Sequence, residues 1–487
     1  VPDTEPALPD GGPSADETTS PDPGARWGGV RGRPRLLAAA AVGVLTSAVY
    51  VLFSARQWAR VESPSWDLGI FTQLLRAYAE LRSPVVPIKG EGFMLLGDHF
   101  HPLLALLAPF YAVAPSGLTL LVLQNLLIGI SAAVLTGCAV RHLGLGAGSL
   151  IGLAYGLSWG LQSAVASQFH EIALALPFLT ASCAALVRRD HRAAVLWALP
   201  LLGIKEDLGL TVAMVGVVAA LRGSRRLGLM TVGGGVGAFV LVTQVVLPAL
   251  NPDGVWDYAD DSIVATLLAD PGAAVGTLFT GAGAKASLVV MVFLPTAFLA
   301  LRSPLALITL PTFAWRLSSD VPFHWSTDWH YSAILMPVVL CATVDALLVL
   351  QWRRYAAAIG AGLLALAVAI TTQFPLWRLT DAGYYRDSAD VAGAEQVLAA
   401  IPDGASVATD ITLMAYLAPR STVYWVGNVS AAVGPDPVDY VVVHTGSGVY
   451  GQDPPQDVVA YATAKFPGSV FTEVLDADGF LVAERVG

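Results

Sequence analysis

Long apolar runs separated by short polar ones set the pattern of the first 375 positions. Runs at 36–54, 117–140, 145–166, 172–187, 228–250, 286–301, 304–318, 331–350 and 355–374 approach the length, about 17 to 25 residues, that a helix needs to cross a bilayer. Each predicts a span, and a longer run covers 193–221. Arginine clusters set the sides, because cytoplasmic loops carry the basic excess: Arg31, Arg33 and Arg35, then Arg188, Arg189 and Arg192, then Arg222, Arg225 and Arg226, then Arg353 and Arg354. The 193–221 run lies between two of these clusters and so crosses an even number of times. At its centre stand Lys205, Glu206 and Asp207. Three consecutive side chains fan through about 200° of a helix, so no single face hides them, and each costs about 2.5–3.5 kcal/mol at the bilayer centre. The run is therefore predicted to be two short helices meeting at a break, with the three ionisable residues facing a polar cavity open to the outside. A helix end holding a Lys/Glu packing pair is the simpler alternative.

The predicted fold class is a polytopic all-α membrane domain of about eleven transmembrane helices over 36–375, followed by a small extracytoplasmic α/β domain over 376–487. The N-terminus is then inside and the chain is a multi-pass protein of the plasma, or inner, membrane. Residues 1–35, rich in Pro, Gly, Ser, Asp and Thr, read as a disordered cytoplasmic tail. Two outer segments are too short or too polar to cross. Residues 66–82 place apolar positions at helical spacing opposite polar ones, as an amphipathic interfacial helix does. Residues 102–115 are bracketed by prolines and predict an outer interfacial or re-entrant helix.

Beyond 376 the punctuation changes. Helices are predicted at 394–401 and 458–466, strands at 405–409, 422–426 and 439–444, and a hairpin from 470–475 and 480–484 across Asp476, Ala477, Asp478 and Gly479. No glycine-rich phosphate loop follows a strand, so nucleotide binding is not indicated.

Composition agrees with a membrane chain. Of 487 residues 55% are hydrophobic and 13% charged, against roughly 25% charged in soluble domains, which excludes a disordered chain, a nucleic-acid binder and an ordinary soluble enzyme. The net charge of −10 is placed unevenly: residues 376–487 hold fourteen acidic and five basic residues, whereas 36–375 are nearly neutral. Arginine outnumbers lysine by twenty-three to four, as in chains from GC-rich bacterial genomes. Cys138, Cys183 and Cys341 all lie in apolar runs and read as core residues.

The topology gathers polar chemistry in the outer segments of the membrane region, including five of the eight histidines. Asp98, His99 and His101 form the densest motif. A carboxylate and two imidazoles can converge on a divalent cation such as magnesium or manganese, or can form a hydrogen-bonded cluster that reads a phosphate or sugar hydroxyl. His170 and Glu171 stand where one helix ends and the next begins, able to grip a hydroxyl or shuttle a proton. Arg316, His324, Trp325 and His330 fall in a segment rich in Trp and Tyr, which is either an interfacial belt or a surface that stacks on a sugar while Arg316 neutralises a phosphate. Asp67 opens the 66–82 helix, where it caps free amides or does chemistry.

The sequence Asp67-Leu-Gly-Ile-Phe, then Gly-Asp98-His-Phe-His101-Pro, Phe-His170-Glu171 and Lys205-Glu-Asp207-Leu-Gly-Leu resembles a bacterial and archaeal family of multi-pass membrane proteins of unknown function. That family is similar in layout to the C-type membrane glycosyltransferases, which include protein mannosyltransferases, aminoarabinose transferases and mycobacterial arabinosyltransferases. The resemblance covers roughly 50–380. It implies transfer of a sugar, with inversion, from a polyprenyl-phosphate donor in the membrane to an extracytoplasmic glycan, lipid or protein acceptor. It also implies an acidic general base in the first outer loop. Asp67 holds that position and Asp98 is the other candidate. His99, His101, Lys205 and Arg316 are then expected to meet phosphate or metal, and Glu206, Asp207, His170 and Glu171 to position sugar hydroxyls. A transporter or flippase for a lipid-linked or small polar solute is the competing reading, because broken helices with charges at membrane depth also serve transport.

Overall fold

The structure is a computed structural model that describes residues 27–258, 270–429, 438–446 and 453–486. Residues 1–26 of the predicted 1–35 tail, and residues 259–269, lie outside the described residues, whereas 27–35 begin the first helix.

Helices dominate. In chain order they are α1 (Trp27–Ala59), α2 (Asp67–Ala79), α3 (Ala108–Val113), α4 (Gly117–Leu143), α5 (Leu145–Gly156), α6 (Trp159–Ala166), α7 (Ile172–Val187), α8 (His191–Ala198), α9 (Leu208–Leu221), α10 (Arg225–Leu241), α11 (Pro271–Phe279), α12 (Ala282–Phe293), α13 (Leu310–Ser318), α14 (Leu335–Val349) and α15 (Ala356–Thr371). Among the described residues, four helical stretches are long and apolar enough to cross a membrane: Arg33–Ala59, Gly117–Leu143, Arg225–Leu250 and Trp352–Thr371. Two bent pairs raise the number to six.

The eleven expected spans therefore do not all appear as continuous helices, and proline is the main reason. It lacks the amide proton and clashes with the preceding turn, and the interruptions at Leu199–Gly203, Leu294–Thr296 and Pro304–Thr309 each carry one. The expected 145–166 span divides into α5 and α6 around Leu157 and Ser158. The 193–221 run divides at Ile204–Asp207, between a short helical turn and α9.

Small residues bring the apolar helices together. Where α9 crosses α10, a Cβ on Gly216 would lie 2.7 Å from the Gly228 carbonyl oxygen, and one on Gly228 would lie 2.5 Å from that of Gly216. Two backbones in contact at that distance gain dispersion that larger side chains would forbid.

The described residues beyond 391 include a five-stranded sheet: β1 (Ser406–Thr409), β2 (Thr422–Trp425), β3 (Tyr440–His444), β4 (Phe471–Ala477) and β5 (Phe480–Arg485), in the order β2-β1-β3-β5-β4. β1 runs parallel to β2 and β3, and β5 antiparallel to β3 and β4. Helices α16 (Val391–Ala400), α17 (Met414–Leu417) and α18 (Val458–Lys465) pack on it. Period-two alternation gives the sheet two apolar faces. One face, with Val441, Val443 and Ala483, meets α18 in a small core of its own. The other, with Val407, Val442 and Val482, joins the core of the membrane helices.

The junction is α2. Nine of its thirteen residues are buried, so it is not the half-exposed interfacial helix that its spacing suggests. A Cβ on Gly69 would meet Met414 Cβ at 2.8 Å, and Gln73 Nε2 donates to the Val423 carbonyl at 2.8 Å. The acidic C-terminal part is thus built onto the helical part through a shared core.

Candidate active site

Three helices begin at one place. Asp67 is the first residue of α2, Glu171 immediately precedes α7 and Asp207 immediately precedes α9. The first amides of a helix lack internal partners and form the positive end of its dipole, so converging N-termini favour negative groups, whether carboxylate or ligand. None of the three acidic side chains caps its helix. They are free for other work.

Asp67 Oδ2 lies 3.3 Å from His170 Nε2. Burial opposes ionisation of Asp67, but His170 and a hydrogen bond with Ser65 outweigh it, and the carboxyl sits below its ordinary range. The His170 ring stacks on His330, centroids 3.5 Å apart, and Phe71 meets His170, His101 and Phe169 edge-on. Beside this pair Lys205 Nζ bonds Glu171 Oε1 at 2.6 Å. Glu206 accepts from His99 Nδ1 at 2.8 Å and from the Phe100 amide at 3.1 Å. Burial disfavours a charged His99, yet Glu206 raises its pKa overall. His101 is only 1% exposed, and burial lowers its pKa to about 4, which keeps it neutral. Polar atoms remain in reserve: Asp207 Oδ1 and the Nδ1 atoms of His101, His170 and His330 are buried without a hydrogen-bond partner in the protein. Buried polar groups are rarely left unpaired, and these are grouped in the network around Asp67.

The structure thus brings together Asp67, Asp98, His99, His101, His170, Glu171, Lys205, Glu206, Asp207 and His330 from five separate stretches of chain. It also corrects two expectations. Asp98, His99 and His101 do not form a metal site: Asp98 turns to Lys89 Nζ at 3.1 Å and the Tyr258 hydroxyl at 3.3 Å, His99 to Glu206, and His101 to Phe71. Among the described residues no three His, Cys, Asp or Glu side chains are arranged to hold a metal ion. A turn of backbone directs consecutive side chains apart, and each found a nearer partner. Nor is Arg316 a free phosphate ligand. It is fully buried and donates to the His324 carbonyl (2.6 Å), Ser332 Oγ (2.8 Å) and the Ser326 carbonyl (3.0 Å). It ties α13 to the 324–332 segment, in which His324 Nδ1 meets Ser319 Oγ and Trp325 Nε1 donates to the Ser319 carbonyl. His324 and Trp325 therefore belong to this strut, and His330 alone of that segment joins the polar network.

Sequence reasoning missed Lys89, Tyr258 and Ser65. For Lys89 there was a signal: the chain has only four lysines, and two of them, Lys89 and Lys205, stand here.

The opposite ends of α7 and α9 are basic. Arg222, following α9, pairs with Asp345 of α14, which also accepts from Ser303 Oγ at 2.6 Å, and Arg222 donates to the Leu186 carbonyl of α7 at 2.8 Å. Helices α7, α9 and α14 therefore each run from the histidine and carboxylate cluster to an arginine end.

A family model described as a predicted membrane protein family, DUF2079, matches residues 58–460. No curated protein matches the chain. The crystal structure of ArnT from Cupriavidus metallidurans bound to undecaprenyl phosphate is similar over 91% of this chain and 98% of that one, with a TM-score of 0.54 and 16% identity. At that identity the likeness is one of fold.

Proposed function

This chain belongs to the DUF2079 family of predicted membrane proteins, and from that premise we propose that it is a membrane glycosyltransferase. It would move a sugar, with inversion, from a polyprenyl-phosphate donor to an acceptor hydroxyl at the outer face. The observation that carries this reading is the Asp67–His170 pair, a carboxylate held at a helix start and bordered by cations and unpartnered histidine nitrogens. The ArnT-like fold supports it, and the undecaprenyl phosphate in that structure supports a lipid-linked donor.

The chemistry needs few parts. As the acceptor oxygen attacks the anomeric carbon, its proton passes to the Asp67 carboxylate, the bond from anomeric carbon to phosphate oxygen breaks, and the electron pair leaves with the phosphate. Lys205, Lys89 and the converging helix N-termini would hold that leaving charge. Asp207 and the free nitrogens of His101, His170 and His330 would take sugar hydroxyls or phosphate oxygens. Asp98 is a poorer base than Asp67, because Lys89 and Tyr258 already engage both of its oxygens.

Replacing Asp67 by Asn keeps shape and removes the basic oxygen. In proteoliposomes supplied with polyprenyl-phosphate sugars, Asp67→Asn is expected to lower transfer by at least about 100-fold with unchanged melting temperature. Undiminished transfer would exclude Asp67 as the base. Solute movement across sealed vesicles with no covalent product would replace the enzyme by a transporter.

A further inference from the structure

Residues 167–171 join α6 to α7 and carry His170, whose Nε2 lies 3.3 Å from Asp67 Oδ2. Within this link Gln168 sits at φ 72°, in the left-handed region that an L side chain holds only when its surroundings enforce it. The enforcing groups are glutamine side chains. Gln57 Nε2 donates to the Ala166 carbonyl at 2.7 Å, and Gln168 Nε2 donates to the Glu62 carbonyl at 2.8 Å, on the segment that leads to Asp67.

Gln124 acts on the link from both sides of Phe169. It stands about two turns into α4 and is 1% exposed. Its Nε2 donates to the Gln168 carbonyl at 3.1 Å, and its Oε1 accepts from the His170 amide at 3.1 Å. A carbonyl only accepts and a backbone amide only donates, so the two bonds fix which end of the carboxamide points where. No hydrogen bond holds the imidazole from its far side: among the described residues His170 Nδ1 has no partner. The ring is flanked by His330, centroids 3.5 Å apart, and by Phe71 edge-on at 6.2 Å. Its place is therefore set by those rings and by the backbone that Gln124 clamps.

We propose that Gln124 is a positioning residue, whose carboxamide holds the 168–170 turn and through it sets His170 Nε2 against the Asp67 carboxylate; its bearing on sugar transfer rests on the transferase reading. Asp67 reports the consequence. Burial favours its neutral form and Glu171 acts in the same sense, whereas His170 and Ser65 outweigh them and keep it ionised. Lys205 pairs with Glu171, and Tyr331 also feels the Asp67 charge. With His170 displaced, burial wins and the carboxylate takes up a proton.

The test is infrared difference spectroscopy on the full chain in nanodiscs, reading the protonated-carboxyl band that Asp67→Asn removes from each background. In the wild type that band is expected to be absent from about pH 5 upward, since an ordinary aspartate titrates near 3.9 and Asp67 lies lower. Gln124→Met makes neither bond, and His170→Phe keeps a stacked ring without the nitrogen. Each should bring the band in, with the proton held at least about tenfold more tightly, and the double variant should add nothing. Gln124→Glu, kept neutral by burial, donates and accepts at the same two places and should restore the ionised Asp67. Where Gln124→Met does not fold, Gln124→Asn, one methylene short of both backbone groups, carries the same reading. An Asp67 that stays ionised in a variant melting like the wild type, or an effect that adds in full to that of His170→Phe, would overturn the assignment. In transfer assays kcat is expected to fall as in His170→Phe while the acceptor KM holds. If no sugar is transferred but the Asp67 band follows the variants, the positioning role stands and the transferase falls. Transfer at wild-type kcat in Gln124→Met, with the Asp67 band unmoved, removes the positioning role alone.

Discussion

Asp67 and His99 answer to pH in opposite senses. Asp67 has a lowered pKa, so what its pairing adds to stability is present above the unfolded value, near 3.9, and is lost only as pH falls through the lower folded one. Activity that depends on the Asp67 carboxylate should accordingly persist through mild acid. His99 has a raised pKa because of Glu206. Its contribution is complete below the unfolded value, about 6.5, and disappears as pH rises through the folded one. Melting curves between pH 6 and pH 9 are expected to show a fall of about 1 kcal/mol or less, the scale of a partly exposed charged hydrogen bond. His99→Phe should flatten that dependence; a slope that survives the substitution would assign it to another group. Burial and partner choice decide these values, and neither is visible at residue scale in a sequence. The motif around Asp98 illustrates this: three good ligand types within four residues turned to Lys89, Glu206 and Phe71 rather than to a common ion.

At the scale of elements, apolar periodicity located the long helices, and the three ionisable residues at 205–207 marked the break before α9. Proline interruptions and short helices were harder to read, because a run of apolar residues looks the same whether its backbone is continuous or bent. Close helix crossings were invisible for a related reason: a glycine in an apolar run marks no partner. The crossing of α9 and α10 gives a test. Gly216→Leu should push the two backbones apart and sharply reduce folded protein recovered in detergent, whereas Gly233→Ala, where a Cβ meets nothing within 4 Å, should be tolerated. Equal recovery of the two variants on size-exclusion chromatography would mean that the crossing does not hold the fold together.

Across the whole molecule, the sheet and the membrane helices share one core through α2. The charge pattern suggests a detached acidic domain, but charge describes the surface, and the joining surface is apolar. Residues 386–487 expressed alone would lose α2 from Met414 and the Gln73 bond from the Val423 carbonyl, so they are expected to aggregate or to lack fixed near-ultraviolet dichroism. A monomeric, cooperatively melting fragment would show instead that the sheet is independent of α2. The shared core also has a functional side, since α2 begins with Asp67 and is braced from behind by the sheet.

What the sequence determined by itself was everything that rests on local pattern: a helical membrane chain, strands and helices of the C-terminal part, and the short polar motifs from which the candidate site is drawn. Those follow from periodicity and from the cost of charge in hydrocarbon, both of which act over a few neighbouring residues. The tertiary structure alone decided the partners. It set His170 against Asp67, gave Asp98 to Lys89 and engaged Arg316 as a strut. Such pairings depend on which side chains, scores of residues apart, arrive at one end of the bundle and how water is excluded from them, and that is a property of packing in three dimensions.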